Sequence, residues 1–280
     1  MEAPLFKREV FAVIAVPLVL ICIVMAPGWV SAVLISVLVV IAGDELFRMA
    51  RSSGLATARV LPVVILAGVL AAAAIWGPGG LAITLAAVVV TAPALQLRHT
   101  KAPEGALAGT GVNVFGIAYL GITGACLAWL RTMPFDETTG IRLLIFFLVM
   151  IWVGDSGAYY VGKNLGRHHM APILSPKKTW EGLAGGVAAT FLAAAIFNSL
   201  VPLPFDWPHI FALAAVLCVT APVGDLIVSL FKRDTGVKDS SSLIPGHGGL
   251  LDRTDSLLFS APMVLLYLVV MGLLTPLSFS

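Results

Sequence analysis

The sequence predicts an all-α protein, built as a polytopic bundle of membrane-spanning helices. Only 11% of its 280 residues are charged, compared with roughly 25% in soluble domains. The mean hydropathy is +1.00, and residues 10–43 and 61–97 contain no charged side chain at all. This composition excludes an ordinary soluble domain, and the absence of a basic block argues against a nucleic-acid partner.

The uncharged runs divide into segments of the length that a bilayer requires, about 20 residues. Pro27-Gly28 interrupts the first run and the glycine-rich residues 77–80 interrupt the second, so each run predicts a helical hairpin. No small-residue cleavage site follows the first apolar run, which we therefore expect to be retained. The nine predicted spans are 9–26, 29–46, 60–76, 80–97, 109–130, 141–162, 182–202, 209–231 and 255–276.

The distribution of basic residues predicts the orientation of these spans. If the N-terminus is cytoplasmic, all of the 17 Lys and Arg except Arg131 and Arg142 fall on the inner side. Loops that remain in the cytoplasm carry this excess of Lys and Arg. We therefore expect the N-terminus inside and the C-terminus outside.

One charged island stands out, because residues 229–255 read SLFKRDTGVKDSSSLIPGHGGLLDRTD between apolar runs. Just before it, Asp225 lies in an apolar helical pattern and shares a face with Ser229, Lys232 and Arg233. Two interpretations are open for Asp225: a structural ion pair with Lys232 or Arg253, or a metal ligand.

The end of this island predicts a phosphate site. Residues 246–249 read GHGG and precede a new helix, where backbone N–H groups can bind an anion, although a simple glycine turn is the alternative. Asp252, Asp255 and Ser256 share one face of that helix. Carboxylates from two helices beside a basic loop suit Mg²⁺-assisted phosphate chemistry.

A second island covers residues 152–182. Asp155, Tyr159 and Gly162 share a helical face there, and a loop with Lys163 and Arg167 follows. Ser175-Pro176 predicts the N-cap and first residue of the next helix.

Lys177 and Lys178 would then occupy the first turn of that helix, where an anionic ligand would offset the unfavourable helix dipole. An ordinary cytoplasmic loop is the alternative. Elsewhere, Asp44 and Arg48 are spaced for a structural ion pair at the end of the second span, with Glu45 beside them.

The first island resembles the signature of phosphatidate cytidylyltransferases, also called CDP-diacylglycerol synthases. The matching positions are Ser229, Lys232-Arg233, Lys238-Asp239, Pro245, His247-Gly248-Gly249, Asp252-Arg253 and Asp255. GDSGAYYVGK and SPKKTWEG resemble upstream elements of the same family, so the resemblance covers the chain from about Trp152 onward.

The resemblance implies a reaction in which CTP and phosphatidic acid give CDP-diacylglycerol and pyrophosphate. It further implies Mg²⁺ held by Asp225 and Asp252, a second cation such as K⁺ beside it, a homodimer, and a cytoplasm-facing site in the bacterial inner membrane. Residues 141–280 would form the catalytic region, and residues 1–140 the lipid cavity or the dimer interface.

The site residues that we predict fall into two groups. The catalytic group comprises Asp225, Lys232, Arg233, Lys238, His247, Asp252, Arg253 and Asp255. The substrate-binding group comprises Asp155, Tyr159, Lys163, Ser175, Lys177, Lys178, Ser229, Gly248 and Gly249.

Two other functions are compatible with the residues alone. A CTP-dependent polyprenol kinase would release CDP and a phosphorylated lipid. A secondary transporter would use Asp155, Asp225 and Asp252 as ion sites in broken helices.

Overall fold

The computed structural model describes residues 21, 24–99, 103–132, 136–243 and 248–274, which form seven long helices and one short hairpin. Each helix contains a stretch long and apolar enough to cross a membrane. The elements are α1 Gly28–Ser52, α2 Leu61–His99, α3 Ala106–Thr132, α4 Glu137–Leu165, β1 His169–Ala171, β2 Ser175–Thr179, α5 Trp180–Leu200, α6 Trp207–Asp234 and α7 Leu251–Val270.

The described part of the chain has seven helices where nine spans were predicted, for two reasons. Almost all of residues 9–26 lie outside the described residues, and α2 contains two of the predicted spans. Gly77 interrupts α2 with a non-helical backbone, φ 60° and ψ −148°. Pro62 and Ile65 line the same small cavity as Leu95 and Gln96, so the two arms of α2 fold back beside each other. The other six predicted spans each overlap one helix.

The interior is apolar, as a helical bundle requires. Phe47, Phe146 and Phe147 are among its largest fully buried side chains. Many large apolar side chains on the outside, such as Ile83 and Val90, are more than two-thirds exposed. A surface of this kind is stable against hydrocarbon rather than water.

The prediction that a helix begins at Ser175 is wrong. Ser175–Thr179 is strand β2, which pairs antiparallel with β1 in the register His169 to Thr179. Helix α5 begins at Trp180 instead, and the Thr179 hydroxyl caps it by accepting a hydrogen bond from Gly182 N at 3.1 Å. Strand pairing satisfies the backbone groups that a helix would otherwise use. The structure therefore differs from the all-α prediction by this one short β-hairpin.

Lys177 and Lys178 consequently lie on a strand and not in the first turn of a helix. The helix dipole cannot act on them as predicted. Successive side chains of a strand point to opposite faces, and here Lys177 is exposed whereas Lys178 is partly buried.

Close helix packing brings the polar residues together. A Cβ atom on Gly186 of α5 would lie 2.9 Å from the Gly154 carbonyl oxygen of α4. A Cβ atom on Gly224 of α6 would lie 2.7 Å from the Asp255 carbonyl oxygen of α7. Small residues thus allow α4 to approach α5, and α6 to approach α7, next to the acidic side chains.

Candidate active site

A polar cavity of about 370 Å³ lies between α4, α6 and α7. Seven of its lining residues are ionisable, which is unusual among membrane-spanning helices. Its lining consists of Ile151, Trp152, Asp155, Asp225, Lys232, Asp239, Asp252, Arg253, Asp255, Ser256 and Leu257.

Asp225 projects from α6 and is paired with a lysine. Lys178 Nζ of strand β2 lies 2.6 Å from Asp225 Oδ2. Ser229, one turn further along α6, donates its hydroxyl to Asp225 Oδ1 at 3.2 Å. The sequence left open a structural ion pair of Asp225 with Lys232 or Arg253. In the structure the hairpin brings Lys178 to Asp225, and Lys232 pairs with Asp252 instead.

Asp252 lies in the first turn of α7 and has its own lysine. Lys232 Nζ donates to Asp252 Oδ1 at 2.6 Å, and the two side chains are only 12% and 8% exposed. The other oxygen, Oδ2, accepts hydrogen bonds from Ser240 N at 2.9 Å, Ser240 Oγ at 2.9 Å and Gly249 N at 3.0 Å. Together, these charge-assisted hydrogen bonds hold the Asp252 carboxylate in one orientation.

The two described glycines of the GHGG turn lie directly against this carboxylate. Gly248 has φ +80°, and a Cβ atom there would lie 2.8 Å from Asp252 Oδ2. A Cβ atom on Gly249 would collide with Ser240 Oγ and Glu45 Oε2. Both positions therefore require glycine. His247 lies outside the described residues.

Two further acids line the cavity. Asp155 projects from α4, and Asp255 lies one turn after Asp252 and is 7% exposed. Asp255 Oδ1 accepts the Ser256 backbone N–H at 2.7 Å. The helical spacing predicted that Asp252, Asp255 and Ser256 share a face, and all three line the cavity.

Several predicted site residues are not among those that line the cavity. Lys163 Nζ lies 5.9 Å from the centre of the Tyr159 ring, so these two residues contact each other. Arg233 donates to the carbonyl oxygens of Leu174 at 3.4 Å and Val237 at 3.3 Å, and thereby braces the hairpin. Lys177 and Lys238 are exposed, and Ser175 is partly buried in β2.

Sequence reasoning missed the contact between Glu45 and this site. Asp44 forms the predicted ion pair with Arg48, at 2.5 Å. Its neighbour Glu45 instead turns inward, is 4% exposed, and accepts hydrogen bonds from Ser241 Oγ and Leu251 N. About 200 residues separate the partners. The sequence showed only that Glu45 is an acidic residue at the end of an apolar span, and it did not indicate these contacts.

The donor set suits a hard cation that is shared with a ligand. Among the described residues, no three His, Cys, Asp or Glu side chains are grouped so that they could hold a metal ion. Asp225 and Asp252 nevertheless offer carboxylate oxygens to one cavity. Mg²⁺ is usually bound by one or two carboxylates, with substrate phosphates and water as its other ligands.

Comparison with known proteins places the chain in a family. Residues 6–271 match the cytidylyltransferase family. The chain is 40% identical over 139 residues to a phosphatidate cytidylyltransferase of Bacillus subtilis, covering 50% of this chain and 52% of that protein. The chain is 39% identical over 159 residues to a phosphatidate cytidylyltransferase of Brucella suis, covering 57% of this chain and 57% of that protein. It is 40% identical over 146 residues to a phosphatidate cytidylyltransferase of Haemophilus influenzae, covering 50% of this chain and 50% of that protein.

The chain thus spans about half the length of the curated relatives it matches. Its apolar helices and its bacterial relatives indicate an integral membrane protein.

Proposed function

The chain belongs to the cytidylyltransferase family, and we propose that it transfers a cytidylyl group from CTP to phosphatidic acid. The observation that carries this proposal is that Asp225 and Asp252, from two different helices, line one cavity and each have a lysine at 2.6 Å. Carboxylates and ammonium groups in one cavity suit a ligand that combines phosphates with a divalent cation. The relatives' names supply the identity of the two substrates.

In the proposed reaction, a phosphate oxygen of phosphatidic acid attacks the α-phosphorus of CTP. A new phosphorus–oxygen bond forms, and the bond from the α-phosphorus to the oxygen bridging to the β-phosphate breaks. Pyrophosphate leaves with that electron pair, and CDP-diacylglycerol remains. The nucleophile is already an anion near neutral pH, so the site does not need a strong general base.

The basic residues in the cavity and beside it would bind and orient the phosphates. Lys178 and Lys232 approach from β2 and α6, and Arg253 lines the same cavity from α7. Positive groups held in place before the reaction stabilise the charge that spreads over the phosphate oxygens in the transition state. The exposed Lys177, Arg233 and Lys238 would act on the parts of the nucleotide outside the cavity.

Asp225 and Asp252 would hold Mg²⁺. When bound, the ion would neutralise phosphate charge and polarise the phosphorus–oxygen bonds. Ser229 and Ser240 would keep the two carboxylates oriented through the hydrogen bonds described above. A second, monovalent cation such as K⁺ beside the first belongs to the same proposal.

We further propose that the cavity faces the cytoplasm from the bacterial inner membrane. The cavity end of α6 carries Lys232 and Arg233, and the opposite end begins at Trp207. The positive-inside rule favours the basic end as cytoplasmic. This orientation completes the scheme of nine spans, with residues 1–140 shaping the lipid cavity or a homodimer interface.

The position of the transferred label tests the function. Purified protein in detergent is supplied with phosphatidic acid, Mg²⁺ and CTP radiolabelled at either the α- or the γ-phosphate. Transfer of the α-label to lipid, with release of γ-labelled pyrophosphate, is the expected result. Transfer of the γ-label to lipid would identify a kinase, and no transfer of either label would contradict an enzymatic role in this reaction.

A further inference from the structure

Glu45, near the C-terminal end of α1, is a buried carboxylate that accepts four hydrogen bonds from the described residues between 240 and 251. Its Oε1 accepts from Ser241 Oγ at 2.5 Å and from Leu250 N at 3.0 Å. Its Oε2 accepts from Ser240 Oγ at 3.0 Å and from Leu251 N at 2.8 Å. A carboxylate that is 4% exposed is stable only when its oxygens are satisfied in this way.

Two of these bonds cap helix α7. The first backbone N–H groups of a helix have no partner within the helix. Leu250 occupies the N-cap position and its side chain makes no capping hydrogen bond. The carboxylate of Glu45 receives N–H groups at this point instead, and its negative charge is favourable beside a helix N-terminus.

The bond from Ser240 connects Glu45 to Asp252. Ser240 Oγ lies 3.0 Å from Glu45 Oε2 and 2.9 Å from Asp252 Oδ2. A hydroxyl has one proton, so it donates to one of these oxygens at a time, while Ser240 N donates to Asp252 Oδ2. The backbone of Gly249 lies against the same group of atoms. A displacement of Glu45 would therefore displace the partners that orient Asp252.

We propose that Glu45 is a positioning residue of the active site, which holds Ser240, Ser241 and the start of α7 so that Asp252 faces the cavity. The expected effect of Glu45 on catalysis rests on the proposed cytidylyl transfer, whereas its expected effect on the structure around Asp252 does not. It also assigns a role in the site to the N-terminal half of the chain.

The test compares two adjacent acids with the same chemical change. Glu45→Gln retains the shape of the side chain but replaces one acceptor oxygen with an NH₂ donor, which would face N–H and O–H donors. Asp44→Asn is the matched control, because Asp44 pairs with the exposed Arg48 and makes no contact with the site in the described structure. Two readouts are measured: the Mg²⁺ dependence of cytidylyl transfer, and the hydrogen exchange of peptides covering residues 248–256 without substrate or metal.

We expect Glu45→Gln to lower kcat/KM by about 10- to 100-fold and to raise the Mg²⁺ concentration for half-maximal activity, as the loss of a group orienting a metal ligand does. Exchange of the 248–256 amides should accelerate more than exchange elsewhere in α7, and Asp44→Asn should match the wild type in both readouts. Glu45→Asp, which keeps two acceptor oxygens, should recover part of the loss.

Wild-type Mg²⁺ dependence together with wild-type exchange in Glu45→Gln would overturn the inference. So would a uniform rise in exchange throughout α1 and α7 with unchanged Mg²⁺ dependence, because that pattern indicates a purely structural role. If Glu45→Gln does not fold, Ser241→Ala takes its place and should shift both readouts in the same direction, by less. If the wild type transfers no cytidylyl group, the proposed function fails, while hydrogen exchange still decides the role of Glu45.

Discussion

Lys232 and Asp252 form an ion pair of 2.6 Å between α6 and α7, with both side chains at least 88% withdrawn from solvent. Removing one partner of a buried ion pair is costly, because the other charge remains without compensation. The pair therefore affects both the stability of the protein and the proposed reaction, and an experiment on either residue must separate the two effects.

Asp252→Asn should abolish most of the activity at saturating Mg²⁺. The loss of a metal-binding carboxylate costs about 3 kcal/mol of transition-state stabilisation, roughly a 100-fold decrease in kcat. The decrease is measured as CDP-diacylglycerol formed by purified protein. Asp234→Asn, at the exposed end of α6, is the control and should keep its activity.

A double variant separates stability from catalysis at this position. Asp252→Asn/Lys232→Met removes both charges, so its thermal midpoint should exceed that of Asp252→Asn alone. It should remain inactive. Activity close to wild type in either variant would contradict the assignment of Asp252.

The two lysines of β2 should differ in their contribution to the catalytic efficiency. Lys178→Met removes the ammonium group beside Asp225 and should lower kcat/KM by about 100-fold, as the loss of one preorganised charge donor does. Lys177 lies on the opposite face of the strand and is exposed, so Lys177→Met should have a clearly smaller effect. Steady-state kinetics with CTP as the varied substrate measure both, and equal losses would contradict the strand geometry.

Gly248→Ala should lower the activity by more than the strain of its backbone conformation alone would. A residue with a side chain at φ +80° costs roughly 1–2 kcal/mol, and the added Cβ atom would also displace Asp252 Oδ2, only 2.8 Å away. Gly236→Ala is the matched control, because Gly236 has φ +73° and no atom lies within 4 Å of its added Cβ. Both variants should lose stability in thermal unfolding, Gly248→Ala more than Gly236→Ala because of the contact with Asp252, but only Gly248→Ala should lose activity.

The two ends of α6 should lie on opposite sides of the membrane. The helix has 28 residues and is about 42 Å long, and Asp206 precedes it while Lys238 follows it. In a variant without the three native cysteines, a membrane-impermeant thiol reagent applied to intact cells should label Asp206→Cys but not Lys238→Cys. The reverse pattern would invert the proposed orientation.

Sequence reasoning singled out the acidic residues that line the cavity because they lie within or next to apolar runs. Asp155, Asp225, Asp252 and Asp255 stand out against their surroundings, and helical spacing correctly put Asp252 and Asp255 on one face. All four line the same cavity. An ionisable group inside a membrane helix is rare enough to indicate a polar site without any knowledge of tertiary structure.

The partners of these acids could not be predicted in the same way. Lys178 reaches Asp225 only because Ser175–Thr179 is a strand, and Ser-Pro is a common helix start, so local preference favoured the wrong element. The bonds of Glu45 join residues about 200 positions apart, and a single sequence contains no signal for such a contact. The functional assignments of all the predicted site residues stay predictions, and Tyr159, Lys163 and Ser175 are not among the residues that line the cavity.

Asp225 and Asp252 are each paired with a lysine, so the charges of these two cavity carboxylates are compensated within the protein by Lys178 and Lys232. In the proposed reaction, Lys178 and Lys232 would leave these carboxylates for the phosphates of the nucleotide, and Asp225 and Asp252 would then be available to hold a metal ion. Ligand recognition would then be an exchange of counter-ions, in which the phosphates and the cation of the ligand replace the ion pairs within the protein.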